Sequence, residues 1–117
     1  MPTQFKIVLY PVKDVDKAKG LFTALFDADP HVESPYDVGF AVDGAEIGLI
    51  PDGHNQGMTG PVPFFDVEDM SATLAALRAA GARVVQDPTD VGGGLLVAKI
   101  IDADGNDVGV RQPPTGA

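Results

Sequence analysis

Apolar positions along the chain alternate between two periods, and the switches between them mark out the elements. Phe5 to Tyr10 is a short run rich in β-branched and large apolar side chains, which predicts a strand. Asp14 follows as a helix N-cap, and Ala18, Leu21, Phe22 and Leu25 recur at spacings of three and four, one face of an amphipathic helix. Gly20 weakens that helix by about 1 kcal/mol relative to alanine. Pro30 marks its exit. Three short strands are then expected, about His31 to Tyr36, Val38 to Val42 and Glu46 to Ile50, the last two joined at the tight-turn dipeptide Asp43-Gly44. Pro51 to Pro61, with prolines, glycines, Asp and Asn, reads as a linker.

After the linker the pattern restarts. Val62 to Asp66 predicts a strand, Asp69 a second N-cap, and Met70, Thr73, Leu74 and Leu77 a second helical face closed by Gly81. Further strands are expected at about Arg83 to Asp87, Leu95 to Ile101 and Asp107 to Arg111, with a turn at Asp104-Gly105 between the last two. The tail 113–117 is expected to fray.

The two halves also resemble each other residue by residue. Val12-Lys13-Asp14-Val15 matches Val67-Glu68-Asp69-Met70, and Asp43-Gly44-Ala45-Glu46-Ile47-Gly48-Leu49 matches Asp104-Gly105-Asn106-Asp107-Val108-Gly109-Val110. The chain therefore reads as one α+β domain over 1–117, built from two tandem βαβββ units at about 5–50 and 62–112 with the linker at 51–61. One helix per unit covers one sheet face, so two units predict a curved eight-strand sheet with helices outside and a concave cup within. Alternation along the last strand of each unit assigns Ile47, Leu49, Val108 and Val110 to the helix side. Gly48, Ile50, Gly109 and Arg111 then face the cup, with Glu46 and Asp107 near its rim.

Composition narrows the function classes. Seventeen acidic against eight basic residues give a net charge of −9, which disfavours nucleic acid and anionic membranes as partners. The absence of cysteine excludes disulfides and thiolate metal sites. The opening MPTQFKIVLY has no basic stretch ahead of a long apolar one, and no apolar run approaches the ~20 residues of a membrane span, so cytoplasmic localisation is expected. Gly92-Gly93-Gly94 lacks the Lys-Ser/Thr of a phosphate loop and is expected to form a mobile flap. The two histidines, His31 and His54, have no second donor at ligand spacing and read as loop residues.

Tyr10-Pro11-Val12-Lys13-Asp14, Val67-Glu68-Asp69 and the ending Asp102-Ala103-Asp104-Gly105-Asn106-Asp107-Val108-Gly109-Val110 resemble the vicinal oxygen chelate (glyoxalase / bleomycin-resistance / dioxygenase) superfamily, over about Phe5 to Gln112. The resemblance implies a metal held in the cup by side chains from the first and last strand of each unit. Those positions fall at Ile7, Gly48, Val62 and Gly109, none of which offers a side-chain donor. No metal or other cofactor is therefore expected. The resemblance points instead to proteins that bind a small organic molecule in the cup, through Ile7, Leu9, Tyr36, Gly48, Ile50, Val62, Phe64, Gly109 and Arg111. Phe40 is a further candidate lining residue. Arg111 would orient an anionic group on the ligand, or pair with Glu46 or Asp107. The alternatives are a superfamily enzyme (lyase, isomerase or dioxygenase) with an atypical metal or metal-free site, and a structural or regulatory dimer without a ligand. A homodimer is expected, because open sheet edges need cover and family members pair.

Overall fold

A computed structural model describes residues 3–114; the end of the tail, 115–117, lies outside the described residues. The element order is β1 (Gln4–Pro11), α1 (Val15–Phe26), β2 (Val32–Glu33), β3 (Val38–Val42), β4 (Ala45–Ile50), β5 (Val62–Asp66), α2 (Met70–Ala79), β6 (Arg83–Asp90), β7 (Leu96–Ile101) and β8 (Asp107–Gln112). The order strand, helix, three strands occurs twice, and the fold is the α+β pair of βαβββ units that the repeat predicts. Contacts divide the chain into one compact unit at Lys6–Val62 and another made of the described residues from Pro63 onward together with those up to Phe5.

In the first unit β2 pairs with β3 and β3 with β4, both antiparallel, and β4 pairs parallel with β1. Asp43 and Gly44 both adopt positive φ, 48° and 83°, the two-residue hairpin turn that Asp-Gly favours. β2 is shorter than expected because Ser34-Pro35-Tyr36-Asp37 turns back on itself. The Ser34 amide donates to the Asp37 carbonyl at 2.9 Å, and the Ser34 hydroxyl accepts from the Asp37 amide at 3.1 Å. Proline in the second position of such a turn is a common choice.

Asp14 caps α1, its carboxylate accepting from the Lys17 amide at 3.1 Å, and Asp27 ends the helix in the left-handed region. The inward stripe of α1 is the half-buried Val15, Ala18, Phe22 and Phe26, packed on the buried Val38, Phe40 and Leu49. The expected face contained Leu21 and Leu25 instead, yet these are 61% and 66% exposed. Both sets obey helical spacing. The aromatic set wins because Phe22 and Phe26 each meet Phe40, at centroid distances of 6.2 and 5.6 Å, and rings contribute most buried area. The stretch read as a linker is also packed. The Met58 amide donates to the Gly53 carbonyl at 3.0 Å, Met58 is buried, and Gly53 lies so close to Pro11 that a Cβ there would sit 2.8 Å from the proline Cβ.

In the second unit β5 pairs parallel with β8, and β8 with β7 and β7 with β6 antiparallel. The core is Val67, Met70, Leu74, Ala98, Ile100 and Val110. The start of α2 is fixed twice. Asp69 accepts from the Ala72 amide at 3.0 Å, and the Gln112 side-chain carbonyl, brought in by β8, accepts from the Met70 amide at 2.6 Å. Asp69→Ala is expected to lower stability by about 1 kcal/mol, read as a lower urea midpoint at unchanged slope; an unshifted midpoint would mean that Gln112 alone holds the terminus.

Gly92 to Gly94 forms a hydrogen-bonded hairpin turn between β6 and β7. The Val91 amide donates to the Leu95 carbonyl at 3.0 Å, and the Gly92 amide donates to the Asp90 carboxylate at 2.8 Å. All three glycines have positive φ, which explains their presence. The edges β2 and β6 are blunted, the first by its length of two residues and the second by Pro88 and two register shifts. In the turn before β8, Asp102 accepts from the backbone and side-chain amides of Asn106, which hold its carboxyl below the usual carboxylate range. Among the described residues no helix is long and apolar enough to cross a membrane.

Candidate functional site

Each unit has one sheet face covered by its helix and a second face opposite. Ile47 packs with Leu49 against α1, and Val108 with Val110 against the α2 core. Alternation therefore places Glu46, Gly48 and Ile50 on the opposite face in the first unit, and Asp107, Gly109 and Arg111 on the opposite face in the second. Ile7 and Leu9 share the face of Gly48: a Cβ built on Gly48 would lie 2.7 Å from Leu9 Cδ2 and 3.6 Å from Ile7 Cδ1. Phe64 shares the face of Gly109, and Val62 and Asp66 follow by alternation along β5.

The two glycines leave no open space. Leu9 is the parallel-strand partner of Gly48, and Phe64 that of Gly109. A Cβ on Gly109 would overlap the Phe64 ring, with Cγ 2.6 Å away, so the ring lies flat across the glycine. Glycine has no side chain to fill either position; the structure fills both with the neighbouring strand's side chain, because a glycine in a strand is the point of closest approach for a large partner. Phe64 and Val62 are accordingly buried.

These positions are the ones at which the resemblance would put metal ligands. Ile7 and Val62 carry only hydrocarbon, and any donor side chain grown from Gly48 or Gly109 would first have to displace Leu9 or Phe64. Among the described residues no three His, Asp or Glu side chains come together. The residues present do not fit a metal of the kind the resemblance implies.

Arg111 has a partner, and it is neither Glu46 nor Asp107. Its Nε lies 3.0 Å from Asp66 Oδ1, across the parallel β5–β8 register. The ion pair is mostly buried, yet neither atom gains a well-directed hydrogen bond. The contact is a charge pairing in which the N–H is not aimed at the oxygen. Asp66 was legible as the third alternate residue of β5, but its pairing depends on a parallel register that spacing does not fix.

The other candidates are scattered. Tyr36 stands on the turn before β3 and is 80% exposed. Phe40 belongs to the α1 core, opposite Ile47, and does not line the second face. His31 is exposed, its Nε2 3.6 Å from the place a Gly39 Cβ would take, and His54 is exposed on the 51–57 turn. Lys99, passed over in the sequence, stands on the same face as Gly109, its cross-strand partner.

The repeated βαβββ unit with helix-covered and open sheet faces defines a class of small α+β proteins whose sites vary widely. The sequence matches the Glyoxalase/Bleomycin resistance protein/Dioxygenase superfamily over residues 4–110, and the chain belongs to that superfamily. Solved structures agree on the fold. A methylmalonyl-CoA epimerase from Mycobacterium tuberculosis is similar at TM-score 0.70 and 21% identity, over 96% of this chain and 89% of that one. A protein described as an NAD-dependent benzaldehyde dehydrogenase from Legionella pneumophila is similar at 0.72 and 20%, over 97% and 100%. A superfamily member from Vibrio splendidus is similar at 0.72 and 14%, over 95% and 99%. No curated protein matches the sequence.

Proposed function

We propose that this superfamily member binds a small organic molecule on the sheet faces opposite its helices and does so without a metal centre. The observation that carries the reading is the replacement of both last-strand ligand positions by glycines covered by hydrocarbon, Leu9 over Gly48 and Phe64 over Gly109. Half-buried Ile7, Leu9 and Ile50 supply an apolar surface in the first unit. In the second, Phe64 and Gly109 form the floor beside Arg111, whose charge orients the ligand. Apolar walls with few polar groups are the usual composition of such sites.

A fragment screen by melting shift tests this, repeated on Ile50→Trp and Arg111→Ala. Binding raises apparent stability by about 2.7 kcal/mol at a hundredfold excess over Kd, and hits are expected to lose most of that shift in at least one variant. Hits that bind both variants as tightly as the parent would place the site elsewhere. Stoichiometric zinc, iron, nickel or manganese in the purified protein would overturn the metal-free part of the reading.

A further inference from the structure

Cross-strand register arranges the open face of the second unit in rows. Lys99, Gly109 and Phe64 form one row across β7, β8 and β5, and Val97, Arg111 and Asp66 form the next. Lys99 and Arg111 are thus diagonal neighbours on adjacent antiparallel strands, about 7–8 Å apart at Cα, beside Gly109 under its Phe64 ring. We propose that Lys99 and Arg111 form a subsite for the carboxylate of a small apolar acid. The proposal rests on the small-molecule reading and assigns its ligand class.

Charge points the same way. The chain carries −9 overall, from 17 acidic and 8 basic residues. Among the residues that the strand register places on this face, Arg83, Lys99 and Arg111 stand against Asp66 and Asp107, three cations to two anions, while Asp87 falls in the β6 irregularity and is not placed by it. Lys99 is half-buried, and among the described residues the ion pairs are Lys19–Glu33 and Arg111–Asp66, so its ammonium has no acidic partner. A lysine stem packed along the sheet with its ammonium free of an acidic partner leaves that charge available to a ligand anion. Arg111 meets Asp66 only through Nε and with poor direction, which leaves the outer edge of the guanidinium open to a planar, two-oxygen acceptor. One surplus charge suits a monoanion; the neighbouring Asp66 and Asp107 carboxylates oppose the second charge of a phosphate. The half-buried Val97 and Ile101, on the same face of β7, are the surface for the apolar body.

The test is titration of 15N-labelled protein with benzoate, and separately with its neutral isostere benzamide. Benzoate is expected to shift the amides of Val97 to Lys99 and Gly109 to Arg111, with benzamide at least about tenfold weaker. Lys99→Met is expected to weaken benzoate by about tenfold or more while leaving the rest of the amide spectrum in place, which separates lost recognition from lost folding. Arg111→Lys keeps the charge beside Asp66 and is expected to weaken benzoate through loss of the planar fork. Benzoate shifts that fall elsewhere, or benzoate binding unchanged in Lys99→Met, overturn the subsite. Benzamide binding this face as tightly as benzoate overturns the carboxylate assignment while leaving the small-molecule reading standing.

Discussion

Phe40→Ala is expected to lower the unfolding free energy by about 3–5 kcal/mol, the usual cost of removing a buried aromatic side chain. Phe40 is 1% exposed and lies where Phe22 and Phe26 of α1 converge, at centroid distances of 6.2 and 5.6 Å. Removing it empties the centre of the first unit's core and strips α1 of the ring that decides which face it buries. A small domain has about 5–15 kcal/mol in total, so the variant should be marginal at room temperature. Urea unfolding followed by far-UV circular dichroism measures it. A loss below about 1.5 kcal/mol, the range of a tolerated core swap, would mean that α1 repacks on its Leu21 and Leu25 face.

Gly109→Ala is expected to cost about 1–3 kcal/mol, a large penalty for one methyl group, because the new Cβ overlaps the Phe64 ring. Phe64 is 4% exposed and cannot swing aside freely. The informative measurement is the double mutant with Phe64→Ala. Removing the ring opens the space that the methyl needs, so the loss in the double mutant should fall short of the sum of the single losses by 0.5 kcal/mol or more, about the coupling seen for touching residues. Strict additivity would show that ring and glycine do not oppose each other. The same overlap makes Gly109→Glu, which would supply a carboxylate to the position, a destabilising change rather than a restored metal ligand.

Most of the fold was legible because the sequence states it twice. The caps at Asp14 and Asp69, the Asp43-Gly44 turn and the Gly81 helix end follow from local chemistry that needs no partner. The side of the sheet on which Ile47, Leu49, Val108 and Val110 fall followed from period-two alternation. What escaped was decided by contacts distant in sequence. The face of α1 depends on Phe40, the filling of Gly109 on Phe64, and the partner of Arg111 on a parallel pairing of strands 45 residues apart in sequence, as in Phe64↔Gly109 and Asp66↔Arg111. Spacing names the residues that can meet but not which of two permitted neighbours does. The packed turn at 51–58 escaped for the same reason, since Gly53 acquires its role from Pro11 and Met58 closing on it.

The parallel pairs have a kinetic consequence. Ile7 must wait for Glu46, and Phe64 for Gly109, before either pair can zip, and such non-local pairing slows folding relative to a chain of hairpins. During that wait the duplicated endings, Asp43 to Leu49 and Asp104 to Val110, are near-equivalent docking strands for β1 and β5 alike. The unequal lids tell them apart. A leucine closes over one glycine and a phenylalanine over the other, so an exchanged pairing would leave one glycine underfilled and the other with a changed cover. The unequal covers make an exchanged pairing a poorer fit than the native one, so local packing agrees with the pairing that the fold requires.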